Sequence, residues 1–213
     1  MFASAAEHAA VRERMIREQL EQRGIKDKRV LEAFRQIPRE EFVLPQDVSG
    51  AYEDYPLPIG YGQTISQPYI VAYMISQLGV KATDRVLEVG TGSGYAAAVL
   101  SLLAAKVYSI EIVPELYERS AKTLARLHYK NVVCRLRDGK GGLPEEAPFD
   151  KIMLSASPEN VPDTLLRQLT IGGRLIAPVG TIKLFQQLMM YERVADTRYK
   201  ETELLGVSFV ELV

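Results

Sequence analysis

A strand, a tight glycine turn and a helix start follow one another in Val86-Leu87-Glu88-Val89-Gly90-Thr91-Gly92-Ser93-Gly94-Tyr95. Few folds use that succession, and the flanking pattern narrows them further. Short apolar runs at Arg85–Val89, Lys106–Ile110, Val132–Leu136, Lys151–Leu154 and Arg174–Pro178 read as strands. They alternate with helical stretches at Gly94–Leu103, Pro114–Leu127 and Pro162–Leu169. Nearly continuous apolar strands that alternate with helices predict an α/β fold, with a mostly parallel sheet covered on both faces. The tail breaks the alternation. Leu184–Arg193 and Thr202–Val210 have only a polar turn between them, which predicts a hairpin at the sheet edge.

Before this core the chain reads differently. Val11, Met15 and Leu20 fall on one face of a helix expected to stop at Gly24. Asp27 is placed to cap a second helix carrying Val30, Leu31, Phe34 and Ile37, ended by Pro38. Phe42 to Tyr61 is proline-rich and aperiodic, and is expected to be an irregular loop laid over a surface. The period becomes helical again from Gln67, with Ile70, Val71, Met74, Ile75 and Leu78. With 213 residues, one domain is expected: 1–66 as N-terminal helices and a substrate-side loop, 67–213 as the core.

The charge balance excludes little but orders the alternatives. A net charge of −1 gives no basic field for nucleic acid or an anionic membrane, so neither is expected as a partner. No apolar run is long enough to span a bilayer, and Met1 to Arg14 lacks a secretory apolar region, so a cytoplasmic protein is expected. Cys134 is the sole cysteine and reads as a small hydrophobe on a buried strand. The histidines, His8 and His128, read as surface residues on helices. No metal site is expected, and a monomer is.

Acidic residues at strand ends tell what the glycine turn binds. Glu111 follows Gly90 by 21 positions, where a carboxylate accepts hydrogen bonds from a ribose. Asp138-Gly139 follows the third strand and by itself reads as a turn-forming pair. The glycines are spaced G-x-G-x-G, unlike the G-x-G-x-x-G of dinucleotide sites. A pyrophosphate at the helix start would meet Glu88, a poor neighbour for it. Glu88 suits a ligand with an amino group and a sulfonium. This E-x-G-x-G-x-G run with its acidic strand end resembles the first two motifs of class I methyltransferases, which implies S-adenosylmethionine as cofactor and S-adenosylhomocysteine as product.

Gly60-Tyr61-Gly62-Gln63-Thr64-Ile65-Ser66-Gln67-Pro68-Tyr69 looks like the wall of a cleft, with Thr64 and Ser66 on the same side of an extended segment. It closely resembles the signature loop of the protein-L-isoaspartate (D-aspartate) O-methyltransferases. The likeness continues through Ala51-Tyr52-Glu53-Asp54, Val107–Glu111, Asn131-Val132-Val133, Pro148-Phe149-Asp150 and Ile171–Leu175. The resemblance implies a seven-stranded sheet with a variant order of the last two strands. It implies methyl esterification of the free α-carboxylate of isoaspartyl residues, and of D-aspartyl ones, in damaged proteins. The ester then closes to a succinimide without the enzyme, and hydrolysis returns some normal linkage.

The same resemblance implies cofactor contacts at Thr64, Glu88, Gly90, Thr91, Gly92, Glu111, Ile112, Asp138 and Gly139. It implies substrate contacts at Ile65, Ser66, Ser155 and Ala156, with Ser66 as the active-site residue. Position alone gives Ser66 a second reading, the N-cap of the helix opened by Gln67-Pro68. A capped hydroxyl is also a fixed one, so both can hold. A carboxylate is already ionised at neutral pH, so the reaction needs no general base. The chain departs from the family pattern at Arg137-Asp138-Gly139-Lys140, Ser155-Ala156-Ser157-Pro158-Glu159 and Ser208-Phe209-Val210-Glu211. Two rivals remain: a methyltransferase of this fold acting on a small molecule or RNA, and a cofactor-binding adaptor. Ser155-Ala156-Ser157-Pro158 lacks the Asn/Asp-Pro-Pro-aromatic pattern of base methylation, and no added recruitment segment is read.

Overall fold

The computed structural model describes residues 4–181 and 186–212. The start of the strand expected from Leu184 therefore lies outside the described residues. The main sheet has five parallel strands: β3 (Arg85–Val89), β4 (Lys106–Glu111), β5 (Val132–Leu136), β6 (Phe149–Leu154) and β7 (Leu169–Val179). β8 (Gln186–Ala195) and β9 (Arg198–Val207) complete it as the expected edge hairpin. The order is β5-β4-β3-β6-β7-β8-β9, so the last two strands lie in chain sequence. β8 runs antiparallel to β7 and β9 antiparallel to β8.

Side chains alternate across β3, and each face has its own buried cluster. Val86 joins the larger cluster, which also holds Phe34 and Tyr95 from the helical layer. Leu87 and Val89 join Tyr108, Phe149 and Ile152 on the other face. α4 (Tyr95–Ser101) and α5 (Pro114–Arg126) follow β3 and β4. α6 is only Asp163–Leu166, shorter than expected, because the chain enters β7 at Leu169. β5 is an edge strand with Arg135 and Leu136 exposed, so Cys134 is half-buried rather than buried.

The N-terminal part packs on this core. α1 (Ala5–Met15) runs into a wide π-turn at Ile16–Glu21, which lets Met15, Ile16 and Leu20 all be buried. α2 (Lys28–Gln36) is capped by the Asp27 carboxylate, which accepts from the Arg29 and Val30 N–H groups. The segment expected as a surface loop is more built than that. A 3₁₀ turn at Arg39–Phe42 leads into it, a second lies at Pro45–Gly50, and its end forms a hairpin of β1 (Leu57–Gly60) with β2 (Gln63–Ile65). Ala51, Tyr52 and Ile59 are buried within it. The hairpin tip needs three successive positive φ angles, at Gly60, Tyr61 and Gly62. A tyrosine in that region is uncommon, which hid the turn from composition alone.

α3 (Pro68–Leu78) begins where its proline dictates. Pro68 takes the first helical position and forces the preceding residue out of the helical region, so Gln67 is the N-cap and makes no side-chain cap bond. Ser66 lies one residue too early to cap, which overturns the capping reading of its hydroxyl. Gly79, at φ 60°, ends the helix in the left-handed conformation.

Candidate active site

Strand order reverses between β3 and β6, and a cavity opens at the carboxyl ends of the strands on either side of that point. One wall is the glycine turn with Glu88, Glu111 and Ile112; the facing wall is Gln63 to Ser66. Ser155 and Ala156 at the end of β6, Gly139 beyond β5, and the tail from Phe209 to Leu212 close the remaining sides. Of the expected residues, Thr64, Ile65, Ser66, Glu88, Gly90, Thr91, Gly92, Glu111, Ile112, Gly139, Ser155 and Ala156 all line this one space.

Asp138 does not line it. Its carboxylate accepts the Lys140 N–H at 2.8 Å and shapes an exposed turn, as the turn-forming reading of Asp-Gly expects. Gly139 itself is buried. A Cβ there would lie 2.3 Å from Val89 Cγ1, so glycine is required by close approach rather than by φ.

Glu111 is held by its own neighbours. One carboxylate oxygen accepts the Gly92 N–H at 2.7 Å, and the other accepts Ile112 and Val113 N–H groups at 2.9 and 3.0 Å. Gly92 has φ 53°, which glycine adopts without penalty and which aims its N–H at that carboxylate. The turn and the acid at the end of β4 are thus one rigid unit. Two acceptor oxygens fixed at a strand end suit a vicinal diol.

Glu88 is fully buried, and burial pushes its carboxyl up to about 8. Nearby Glu111 pushes the same way, while hydroxyls from Ser109 and Ser155 oppose it. Ser109 donates to Glu88 at 2.6 Å and itself lies 2.6 Å from the Thr91 hydroxyl. Ser155 donates to the other Glu88 oxygen at 3.5 Å. Ser109 had no role in the sequence reading. Its signal is a lone hydroxyl in an apolar strand, and it sits directly opposite Glu88 in the β3–β4 register.

No histidine lines the cavity. His128 is exposed at the end of α5, as expected. His8 is not a plain surface residue: it is half-buried, with Nδ1 3.2 Å from a Glu40 carboxylate oxygen. Cys134 is not among the lining residues either, and burial pushes its thiol up to about 11. Ser157 and Glu211 form a parallel bridge that seats the C-terminal tail beside β6. Ser157 N–H donates to the Val210 carbonyl at 2.8 Å, and Leu212 N–H returns to the Ser157 carbonyl at 2.9 Å.

A doubly wound parallel sheet, a G-x-G-x-G turn locked to a strand-end glutamate and a buried second acid at its entrance define a class I S-adenosylmethionine-dependent methyltransferase. Comparison with known proteins refines the class. The profile of the family described as Protein-L-isoaspartate(D-aspartate) O-methyltransferase (PCMT) matches residues 10–213, and the chain belongs to that family. Protein-L-isoaspartate O-methyltransferase 2 of Pelobacter propionicus is 53% identical over 202 residues, covering 95% of this chain and 90% of that protein. Its namesake in Marinobacter nauticus is 50% identical over 203 residues, covering 95% and 93%.

Solved structures agree. A protein-L-isoaspartate O-methyltransferase, 32% identical, superposes with a TM-score of 0.85 over 94% of this chain, which spans 65% of that one. A Plasmodium falciparum β-aspartate methyltransferase, solved with S-adenosyl-L-homocysteine, is 25% identical with a TM-score of 0.82, covering 97% of this chain and 98% of that chain.

Proposed function

We propose that the Ser66 hydroxyl holds the substrate carboxylate at the mouth of this cavity, facing a cofactor seated against Glu88, Gly90, Thr91, Gly92, Glu111, Ile112 and Gly139. The observation that carries the reading is the pairing of the two walls. The Ser66 hydroxyl makes no hydrogen bond among the described residues, and Ser66 lines the same space as the glycine turn and both acids. The chain is a protein-L-isoaspartate O-methyltransferase, and its cofactor is S-adenosylmethionine.

The residues fit that cofactor by their chemistry. Glu111 presents fixed acceptors for ribose hydroxyls, and the Glu88 carboxyl favours an ammonium or sulfonium over a phosphate. Bound there, S-adenosylmethionine supplies a methyl group on a sulfonium leaving group. The chain's own residues then align and dry the site. Ser66 donates to one carboxylate oxygen and leaves the other to attack. Thr64, Ile65, Ser155 and Ala156 border the attacked position, and Ala156 and Ile65 are buried apolar neighbours that exclude water. A carboxylate ionised at neutral pH gives up no proton, so no base is required of the lining. Catalysis is mainly positioning, with reacting atoms roughly 3–3.5 Å apart.

Substrates are isoaspartyl proteins and peptides, and the family's description adds D-aspartyl residues as a second class. Further parts of this reading go beyond the family. The protein is a cytoplasmic monomer that binds neither nucleic acid nor membrane. Among the described residues no helix is long and apolar enough to cross a bilayer. Residues 1–66 and 67–213 act as one domain, supported by a single buried cluster that joins Met15 and Phe34 to Val86 and Phe209. Asp138 contributes the turn that places Gly139.

The test uses labelled S-adenosylmethionine and paired peptides that differ only in aspartyl or isoaspartyl linkage. Base-labile label on the isoaspartyl peptide alone is the expected result. Equal labelling of both peptides, or tight cofactor binding without transfer, would overturn the substrate assignment. Ser66→Ala should lose turnover per folded molecule while it still binds S-adenosylhomocysteine.

A further inference from the structure

Arg39 opens the 3₁₀ turn before the hairpin, and no part of it reaches solvent. A buried guanidinium normally has a carboxylate partner, because a buried charge without one keeps its full desolvation penalty. Among the described residues no carboxylate oxygen lies within ion-pair distance of Arg39. Nε donates to the Ala51 carbonyl at 2.7 Å, and Nη2 donates to the Ser66 carbonyl at 2.8 Å. The guanidinium carbon stands 4.7 Å from the centre of the Tyr95 ring. Arg39 Nη1 and the Tyr95 hydroxyl are both buried without a hydrogen-bond partner among the described residues.

Two of these three contacts lead to the site. Ser66 is on the substrate wall, and Tyr95 lines the cavity from the first turn of α4, directly after the glycine turn. An apolar side chain of similar volume would fill this space at less cost. What a guanidinium adds is a planar fork that fixes two carbonyls at once, with a permanent positive charge. The Ser66 carbonyl is committed to that fork. It is therefore not available to face an incoming carboxylate, which it would repel, while the Ser66 hydroxyl keeps its freedom to donate.

From this arrangement we infer that Arg39 is a positioning residue for methyl transfer: it clamps the Ser66 carbonyl and fixes the loop against Tyr95, so that the Ser66 hydroxyl meets the substrate carboxylate. The inference rests on the role given to Ser66 above.

The experiment is a double-mutant cycle on the full chain, read with an isoaspartyl peptide and with S-adenosylhomocysteine binding by calorimetry. Arg39→Met should lower kcat/KM for the peptide about 30-fold, the size of losing one buried charge-assisted hydrogen bond, with the S-adenosylhomocysteine Kd within about threefold. In a Ser66→Ala background the same change should cost less than about threefold, because the hydroxyl it positions is gone. Arg39→Lys keeps the charge but not the fork, and should recover only part of the loss. It carries the same comparison if Arg39→Met does not fold.

The inference is overturned if peptide turnover is unchanged, if it falls in step with cofactor affinity, or if the two losses multiply. A Ser66→Ala single variant with full turnover removes the Ser66 reading and this inference with it. That result is distinct, because it appears before Arg39 is touched.

Discussion

The Ser109 hydroxyl donates to the buried Glu88 carboxylate at 2.6 Å across the β3–β4 pair, where the two residues are direct register partners. That bond holds against a strong opposing force, since burial pushes Glu88 up to about 8 from its ordinary 4.5. With the folded value raised, the neutral acid is the form that the folded chain favours. Stability from this source is complete below the ordinary carboxylate range and is lost as pH climbs through about 8. Without cofactor, urea unfolding at about pH 5, 7 and 9 should show that decline in the wild type, and Glu88→Gln should flatten it. A variant with the same slope as the wild type would place the titration elsewhere.

Cofactor binding should invert the preference. An ammonium or sulfonium beside Glu88 favours its ionised form, so binding at neutral pH releases a proton and affinity rises with pH up to about 8. Calorimetry in buffers of different ionisation enthalpy measures the release directly. Ser109→Ala removes a bond that lowers the Glu88 value, so it should weaken binding about tenfold at neutral pH and less at high pH. A loss of the same size at every pH would mean that Ser109 acts by packing alone.

Gly139 yields a packing prediction. A methyl group there would stand 2.3 Å from Val89 Cγ1, and Val89 is buried in β3 with little room to move. Gly139→Ala should destabilise the protein by about 1–3 kcal/mol and weaken cofactor binding as the wall shifts. Val89→Ala removes the offending carbon and leaves Val89 Cβ at 3.7 Å, an ordinary contact. The double variant should then be less destabilised than the sum of the single ones, which chemical denaturation will check.

These predictions mark where the sequence was legible. β3 and β5 have the bounds read from their apolar runs, because turn residues punctuate both ends. Glu111 is legible as a cavity residue because a strand-end acid 21 positions after Gly90 falls beside the glycine turn, whose Gly92 N–H it accepts. Ser66 lines the cleft as its loop predicts, but it does not cap α3, since Pro68 makes Gln67 the cap. The β1–β2 hairpin is not legible because its tip sets Tyr61 at φ 56°, where composition favours glycine or asparagine. Ser109 depends on cross-strand register, and Arg39 reaches a carbonyl 27 residues away. Neither relation leaves a local pattern in the chain.

The C-terminal wall should be separable from the cofactor site. Buried Gln186 grips Phe209 twice: its amide nitrogen donates to the Phe209 carbonyl at 3.1 Å, and its oxygen accepts the Phe209 N–H at 2.6 Å. Phe209 to Leu212 line the cavity beside Ser155 and Ala156. Gln186→Ala leaves both Phe209 backbone groups buried and unpaired, at a cost of about 1–3 kcal/mol each if the tail stays in place. The tail will relax instead of bearing that cost, and the wall will loosen. We expect KM for an isoaspartyl peptide to rise about tenfold, with kcat lowered less and the S-adenosylhomocysteine Kd changed by less than about threefold. Steady-state kinetics at varied peptide concentration, with calorimetry on the same samples, will check the split. Equal losses in peptide and cofactor binding would show that the clamp supports the whole core and not the substrate wall.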